Sequence, residues 1–249
     1  MLAGEYFPMT KKPDRDKHQL KERQKIESGV FDRQTLISIS KVLKKGIIDN
    51  MDYPVSTGKE AIVFKCTSSS GSSIALKIYK ISTSIFLKKM DYMHGDPRFS
   101  KIKLGERDIV FSFARKEFRN LEICEKAGVS APKPIFLQGN VLVMGFLGES
   151  GLPYPQLVQT VCEEKFLDSI LADVRRLYGA GLVHADLSEY NIMVGNDGTT
   201  YLIDFGQGVV LAHPKAEEFL ERDVRNVIKF FAKSGVVRDL EEELKKIRG

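Results

Sequence analysis

Leu182-Val183-His184-Ala185-Asp186-Leu187-Ser188-Glu189-Tyr190-Asn191-Ile192-Met193-Val194 is the stretch on which the reading of this chain turns. The apolar pair Leu182-Val183 leads into a polar loop, and Ile192-Met193-Val194 leaves it as a short strand. A second apolar run, Tyr201-Leu202-Ile203, ends at Asp204-Phe205-Gly206. Between the runs, Gly195-Asn196-Asp197-Gly198 is a strong turn signal and predicts a hairpin. Pairing of the two runs brings Asp186, Asn191 and Asp204 to one end of it. Two carboxylates and an amide oxygen are hard ligands, suited to Mg²⁺ holding phosphates.

Upstream, Val55 to Lys65 reads as a strand, a turn and a second strand. A Walker A loop is excluded: Glu60 follows Lys59, and no glycine stands five residues before Gly58. The alternative is a flap over phosphates, with Ser56, Gly58 and Ala61 at the three glycine positions of the kinase pattern and Val63 at its valine. Only the middle glycine of that pattern is present, so taken by themselves these residues fit a plain hairpin better. Ile74-Ala75-Leu76-Lys77-Ile78-Tyr79 is a strand carrying one lysine among apolar neighbours. Its stem could snorkel at an edge, or its ammonium could pair the α- and β-phosphates of ATP.

A long helix is predicted from about 108 to 127, stopped by Gly128 and by prolines at 132 and 134. Val110, Phe113, Ala114, Glu117, Leu121 and Cys124 share one face of it, so Glu117 is a carboxylate on an otherwise apolar stripe. A buried carboxylate needs a partner, and Lys77 is the candidate. Two runs, 135–137 and 141–144, form a further hairpin through Gly139-Asn140. The glycine-rich segment 145–151 then reads as a hinge. Helices are expected at about 155–179 and 214–233, with a short one from Asp239. Before the sheet, Leu36, Ile37, Ile39, Val42 and Leu43 give helical spacing that stops near Gly46. Residues 82–107 read as an irregular, mobile insertion, and Thr10 to Glu27, dense in charge, as a solvated helix or a mobile arm.

The net charge of +5 over 249 residues is compatible with an anionic ligand without requiring one. Cys66, Cys124 and Cys162 lack metal-ligand spacing and read as incidental thiols of a reducing compartment. No apolar run reaches the ~18 residues that span a bilayer, and no secretory leader is evident. The expectation is a cytoplasmic protein without a membrane partner, a monomer or weak dimer.

In this order, with Asp204 eighteen positions after Asp186, the pieces resemble a protein kinase. More narrowly, Ser56-Thr57-Gly58-Lys59-Glu60-Ala61 and His184-Ala185-Asp186-Leu187-Ser188-Glu189-Tyr190-Asn191 resemble the RIO family of atypical kinases. Val30-Phe31-Asp32, Lys45-Gly46-Ile47-Ile48-Asp49, His213-Pro214 and Arg222-Asp223 resemble its first, Rio-one subfamily, of archaeal type. The likeness covers roughly residues 30 to 235. Departures are Ile62, where asparagine is common, and a Phe205-Gly206 pair closer to ordinary kinases. The fold implied is α+β and two-lobed: arm and helical extension over 1–48, a β-rich N-lobe over 49–144, a hinge over 145–151 and a helical C-lobe over 152–249. After Gly206 the 43 remaining residues show no Ala-Pro-Glu segment, so no activation loop or peptide-docking helices are expected.

The resemblance also implies roles. Lys77 would hold the α/β-phosphates and Glu117 would fix Lys77. Asn191 and Asp204 would hold Mg²⁺, or Mn²⁺ in its place, and Asp186 would orient or deprotonate the attacking hydroxyl. Ser56, Thr57, Gly58, Lys59, Glu60, Ala61 and Val63 would cover the phosphates of ATP. Ala75, Met144, Gly145, Phe146, Leu147, Met193 and Ile203 would enclose adenine and ribose, with Ser188, Glu189 and Asn191 at the phosphate end. Ser188 stands where ordinary kinases carry a lysine, and Lys59 is a candidate to meet the charge of the transition state. His184 is expected to pack under the catalytic loop; Asp223 either bonds that loop, caps a helix or is exposed. The family implies serine phosphorylation, of the chain itself or of another substrate, or an ATPase cycle through phosphorylated Asp204, acting on a maturing small ribosomal particle. Ser84 and Ser100, in the expected mobile insertion, are candidate autophosphorylation sites that the sequence does not distinguish from any other surface serine. A small-molecule kinase, a kinase of the tRNA-modifying KEOPS type and a non-catalytic ribosome-binding module are the alternatives.

Overall fold

Along residues 74–79 successive side chains take opposite faces of a strand, and in the structure, a computed structural model, both faces are covered. It describes residues 31–81, 90–93, 95–99 and 105–249. Strands β1 (Asn50–Thr57), β2 (Ala61–Thr67), β3 (Ser73–Tyr79), β4 (Pro134–Gln138) and β5 (Val141–Gly145) form one antiparallel sheet in the order β1-β2-β3-β5-β4. Ile74, Leu76 and Ile78 point to the back face, where they meet Ile62, Cys66, Val141 and Val143. Ile62, the departure from the family pattern, is fully buried there. Helix α1 (Arg33–Lys44) covers this face with Ile39 and Val42. Asp32 caps it by accepting the Thr35 N–H at 2.8 Å, a contact worth about 1 kcal/mol. Asn140 pins the helix to the sheet by donating to Thr35 Oγ1 and to the Tyr79 carbonyl, both at 2.8 Å.

The front face of β3 carries Ala75, Lys77 and Tyr79, and it is covered by helix α2 (Glu106–Ala127). Gly128 ends that helix at φ 67°, a left-handed cap that an L side chain rarely adopts. The front-face core continues without a break into the helical lobe. That lobe contains α3 (Glu164–Gly179), α4 (Ala216–Ala232) and α5 (Leu240–Arg248, capped by Asp239). Two small pairs complete it: β8 (Leu182–Val183) with β11 (Val209–Val210), and β9 (Ile192–Val194) with β10 (Thr200–Leu202). The β9–β10 hairpin is the one the turn at 195–198 predicts, and the fold is the α+β, two-lobed, kinase-like one expected.

Two local expectations differ from what forms, and one segment gains detail. Residues 145–151, read as a hinge, run into a small hairpin in which β6 (Gly148–Glu149) pairs with β7 (Leu152–Pro153). A Cβ on Gly148 would lie 2.2 Å from the Leu152 carbonyl oxygen, so only glycine closes this hairpin. The helix expected from 155 starts at Glu164, because Gln156 and Gln159 close a capping box around a 3-10 turn and Gln156 bridges to Met193. Within 82–107, residues 90–92 and 97–99 form 3-10 turns that bury Met90, Met93 and Phe99. Buried Asp96 is held by Arg98, which also donates to Asn120 Oδ1 of α2 at 2.9 Å. The arm at 10–27 and the candidate serines Ser84 and Ser100 lie outside the described residues. Among the described residues, no helix is long and apolar enough to cross a membrane.

Candidate active site

Alternation along β3 puts Lys77 on the face toward α2, and helical spacing puts Glu117 on the stripe that meets it. Lys77 Nζ donates to both Glu117 oxygens at 2.8 Å and to Asp204 Oδ1 at 2.9 Å. Burial works against the Lys77 charge, but the carboxylates of Asp204 and Glu117 outweigh it and push its pKa above the usual lysine value. Burial pushes the Glu117 carboxyl up, with Lys77 pulling the other way. An ammonium 2.8 Å from both oxygens keeps the pair ionised. The Asp204 side chain is 46% exposed and opens into a cleft of about 570 Å³ between the lobes.

That cleft gathers most of the residues expected at the nucleotide: Ser56, Gly58, Lys59, Glu60, Ala61 and Val63 from the β1–β2 flap, and Ala75 and Lys77 from β3. Glu117 joins from α2, Met144 to Leu147 from the hinge, and Asn191, Met193, Ile203 and Asp204 from the β9–β10 hairpin. Thr57, Asp186, Ser188 and Glu189 fall outside its walls. Ser188 accepts the Asn191 N–H at 2.9 Å through its carbonyl, and the Glu189 carbonyl accepts from Val158 at 3.3 Å, so both shape the loop through their backbones. The flap tip is held from below by Lys80, whose Nζ donates to the Gly58 carbonyl at 2.7 Å.

The catalytic loop is fixed by groups on three elements. Asp223, buried on α4, accepts the N–H of Ala185 at 2.7 Å and that of Leu187 at 3.0 Å. Of the three readings open for Asp223, bonding to the loop is therefore the one realised. Burial pushes its pKa up to about 7 against those two bonds and the Arg222 charge. Arg222 donates to the Ala185 carbonyl, and Ala185 sits at φ 63°. His184 packs on Phe205 with ring centroids 4.7 Å apart, and its Nε2 donates to the Ile203 carbonyl at 2.9 Å. Burial lowers its pKa to about 4, so it is a neutral structural ring, as expected.

Asn191 donates its amide to the Asp186 carbonyl at 2.8 Å, which commits the NH₂ and leaves the amide oxygen as its free ligand atom. That oxygen and the exposed Asp204 carboxylate form a donor set that fits a hard divalent cation. The sequence reading missed Tyr79, Pro132, Tyr154, Gln156, Gln159 and Tyr190 on the cleft walls. Tyr79 was reachable, since it lies two residues beyond Lys77 on the same strand face. Pro132 comes from the turn between α2 and β4, and the others arrive through the 152–160 segment and the loop, where no periodicity marks a wall. Gln207, Lys116 and Asn120, which support the loops from behind, also escaped it.

Residues 62–244 match the family described as RIO domain. Over 225 residues the chain is 44% identical to the RIO-type serine/threonine-protein kinase Rio1 of Haloferax volcanii, an alignment spanning 86% of this chain and 74% of that one. Rio1 of Thermoplasma acidophilum is 45% identical over 166 residues, 67% of this chain and 88% of the relative. The human serine/threonine-protein kinase RIO1 is 40% identical over 86% of this chain but only 39% of its own length. Among solved structures, the Rio2 kinase-ADP/Mg²⁺-phosphoaspartate complex of Chaetomium thermophilum superposes with a TM-score of 0.66 at 20% identity. That overlap covers 86% of this chain and 66% of the other, and at such identity it speaks for the fold alone.

Proposed function

This chain belongs to the RIO domain family, and from that premise we propose that it is an atypical, Mg-ATP-dependent serine protein kinase with a second, ATPase mode. The observation that carries the reading is Lys77 bonded to Glu117 and Asp204 at the floor of an open cleft, with Asn191 on the facing hairpin. Lys77 receives the α/β-phosphates, and Glu117 fixes its position. The flap from Ser56 to Val63 covers the phosphates. Adenine lies between Ala75 and Ile203 with Met144 behind it. The Gly145 N–H is already given to the Lys133 carbonyl at 2.8 Å, so the hinge donor is assigned to the Leu147 N–H. Asn191 and Asp204 would hold a magnesium ion, whose charge would offset that building on the transferred phosphoryl group. Asp186 takes the proton of the acceptor hydroxyl as its oxygen bonds the γ-phosphorus and the bond to ADP breaks.

The same site supports the second mode. An Asp204 carboxylate oxygen attacks the γ-phosphorus and ADP leaves; water then hydrolyses the acyl phosphate and regenerates Asp204. The phosphoaspartate named for the Rio2 structure favours this mode on the shared fold. The division into an extension to residue 48, an N-lobe to 144, a hinge and a C-lobe belongs to this proposal. So does a role in small-ribosomal-subunit maturation, which rests on family likeness, and so do a cytoplasmic location and a monomeric or weakly dimeric state. Incubation with γ-labelled ATP and Mg²⁺ tests the chemistry. Acid-stable label on serine supports transfer, and hydroxylamine-labile label lost in Asp204→Ala supports the ATPase cycle. Absence of any nucleotide binding ends both. Co-sedimentation of the wild type and Asp204→Ala with small subunits, with and without ATP, tests the ribosomal role.

A further inference from the structure

Phosphoryl transfer depends on placing the acceptor oxygen closely, so a carboxylate that serves it must itself be held in rotation. The backbone around Asp186 is well held, by Asn191 on its carbonyl and by Asp223 on the N–H groups to either side. Its carboxylate is reached by Gln207, whose Nε2 donates to Asp186 Oδ2 at 2.5 Å.

Gln207 is buried and its backbone is braced from behind. Asp204 enters the loop at φ 66°, and residues 205–207 follow as one 3-10 turn. Fully buried Lys116 donates to the Gln207 carbonyl at 3.0 Å. One helical turn further along α2, Asn120 donates to the carbonyls of Phe205 and Gly208 at 2.8 and 2.9 Å. A Cβ on Gly208 would come within 2.9 Å of that Asn120 nitrogen, which is why the turn ends on glycine. Three carbonyls of the 205–208 segment thus rest on two side chains of the helix that carries Glu117. The side chain that leaves this braced segment toward the catalytic loop is an amide.

Resting on the assignment of Asp186 made above, we propose that Gln207 is a positioning residue for phosphoryl transfer, fixing one carboxylate oxygen of Asp186 so that the other faces the acceptor hydroxyl. An amide suits the task because it donates without carrying charge, so it orients the carboxylate without neutralising it. Through Lys116 it also makes the aim of Asp186 depend on the seating of α2. The helix therefore sets the phosphate lysine through Glu117 and the acceptor carboxylate through Lys116 and Gln207.

Turnover and Mg-ATP calorimetry on Gln207→Met and the near-isosteric Gln207→Glu, alone and combined with Asp186→Ala, test this. Each single variant is expected to lose roughly tenfold or more in kcat, as befits a lost donor to a charged acceptor. Mg-ATP affinity should stay within about twofold. In the Asp186→Ala background the second substitution should cost almost nothing further, because the group it positions is gone. If Gln207→Met fails to fold, Gln207→Glu, which keeps the shape, carries the test. Unchanged kcat overturns the proposal. So does an equal loss with and without the Asp186 carboxylate, or a parallel loss of ATP affinity. Full turnover in Asp186→Ala alone would instead remove the premise, and the proposal with it.

Discussion

Lys77 Nζ stands 2.8 Å from both carboxylate oxygens of Glu117, a partner forty positions away in sequence and all but excluded from solvent. Removing one member of such a pair leaves a buried charge without compensation. Lys77→Met is expected to destabilise the fold by about 3–5 kcal/mol at neutral pH. Glu117→Gln should cost less, because Asp204 still receives the ammonium at 2.9 Å. The double variant should cost less than the two singles together by about 1 kcal/mol or more, as measured by urea denaturation. Strict additivity would mean that the two groups do not meet.

Asp223 uses both carboxylate oxygens on the loop, one for each N–H flanking Asp186. Asp223→Ala leaves two buried donors without acceptors, at about 1–3 kcal/mol each. Asp223→Asn keeps the shape but turns an NH₂ toward one of those N–H groups, so it should not rescue. Thermal melting should show both losses. Turnover should fall in Asp223→Asn while Mg-ATP affinity holds, since none of the bonds lost touches the nucleotide.

Two buried groups should pull the stability of the metal-free protein in opposite directions with pH. His184, at about 4 in the fold against an ordinary 6.5, binds its proton more readily when unfolded. Its contribution is lost as pH falls from 6.5 to 4, by about 3 kcal/mol. Asp223, at about 7 against 3.8, binds its proton more readily when folded, so its contribution is lost as pH rises from 3.8 to 7, by a similar amount. The wild type should therefore show a flattened profile between pH 4 and 7. His184→Gln should turn it into one that declines with pH, and Asp223→Asn into one that climbs. Denaturant titrations at half-unit steps of pH would read the slopes; three parallel curves would refute the assignment.

Much of this site is legible in the chain because its chemistry lies on regular elements. Strand alternation assigns Lys77 a face, helical spacing assigns Glu117 a stripe, and the turn at 195–198 folds Asn191 and Asp204 together. The back face of the sheet was not assigned to α1 beforehand, although the apolar spacing from Leu36 to Leu43 asked for a partner. What stayed hidden depends on side chains reaching across loops. Gln207 looks like any residue three positions after Asp204 until Lys116 and Asn120 are seen to brace its turn. The residues near 90–99 looked polar and irregular, yet Asp96 and Arg98 satisfy each other and let Met90, Met93 and Phe99 reach the core. Pattern reading misses such a segment, because a few anchored side chains order it without any repeat.

The proposed chemistry requires Asn191 and Asp204 to grip a cation together. Titration calorimetry of ATP with and without magnesium, on the wild type, Asn191→Ala and Asp204→Ala, measures that grip, with thermal melting to establish that each variant is folded. Each substitution removes one of the few oxygen ligands the protein offers, so the magnesium-dependent gain in ATP affinity should fall at least about tenfold in each, and turnover with it. Variants that keep both the magnesium-dependent gain and turnover would contradict the account.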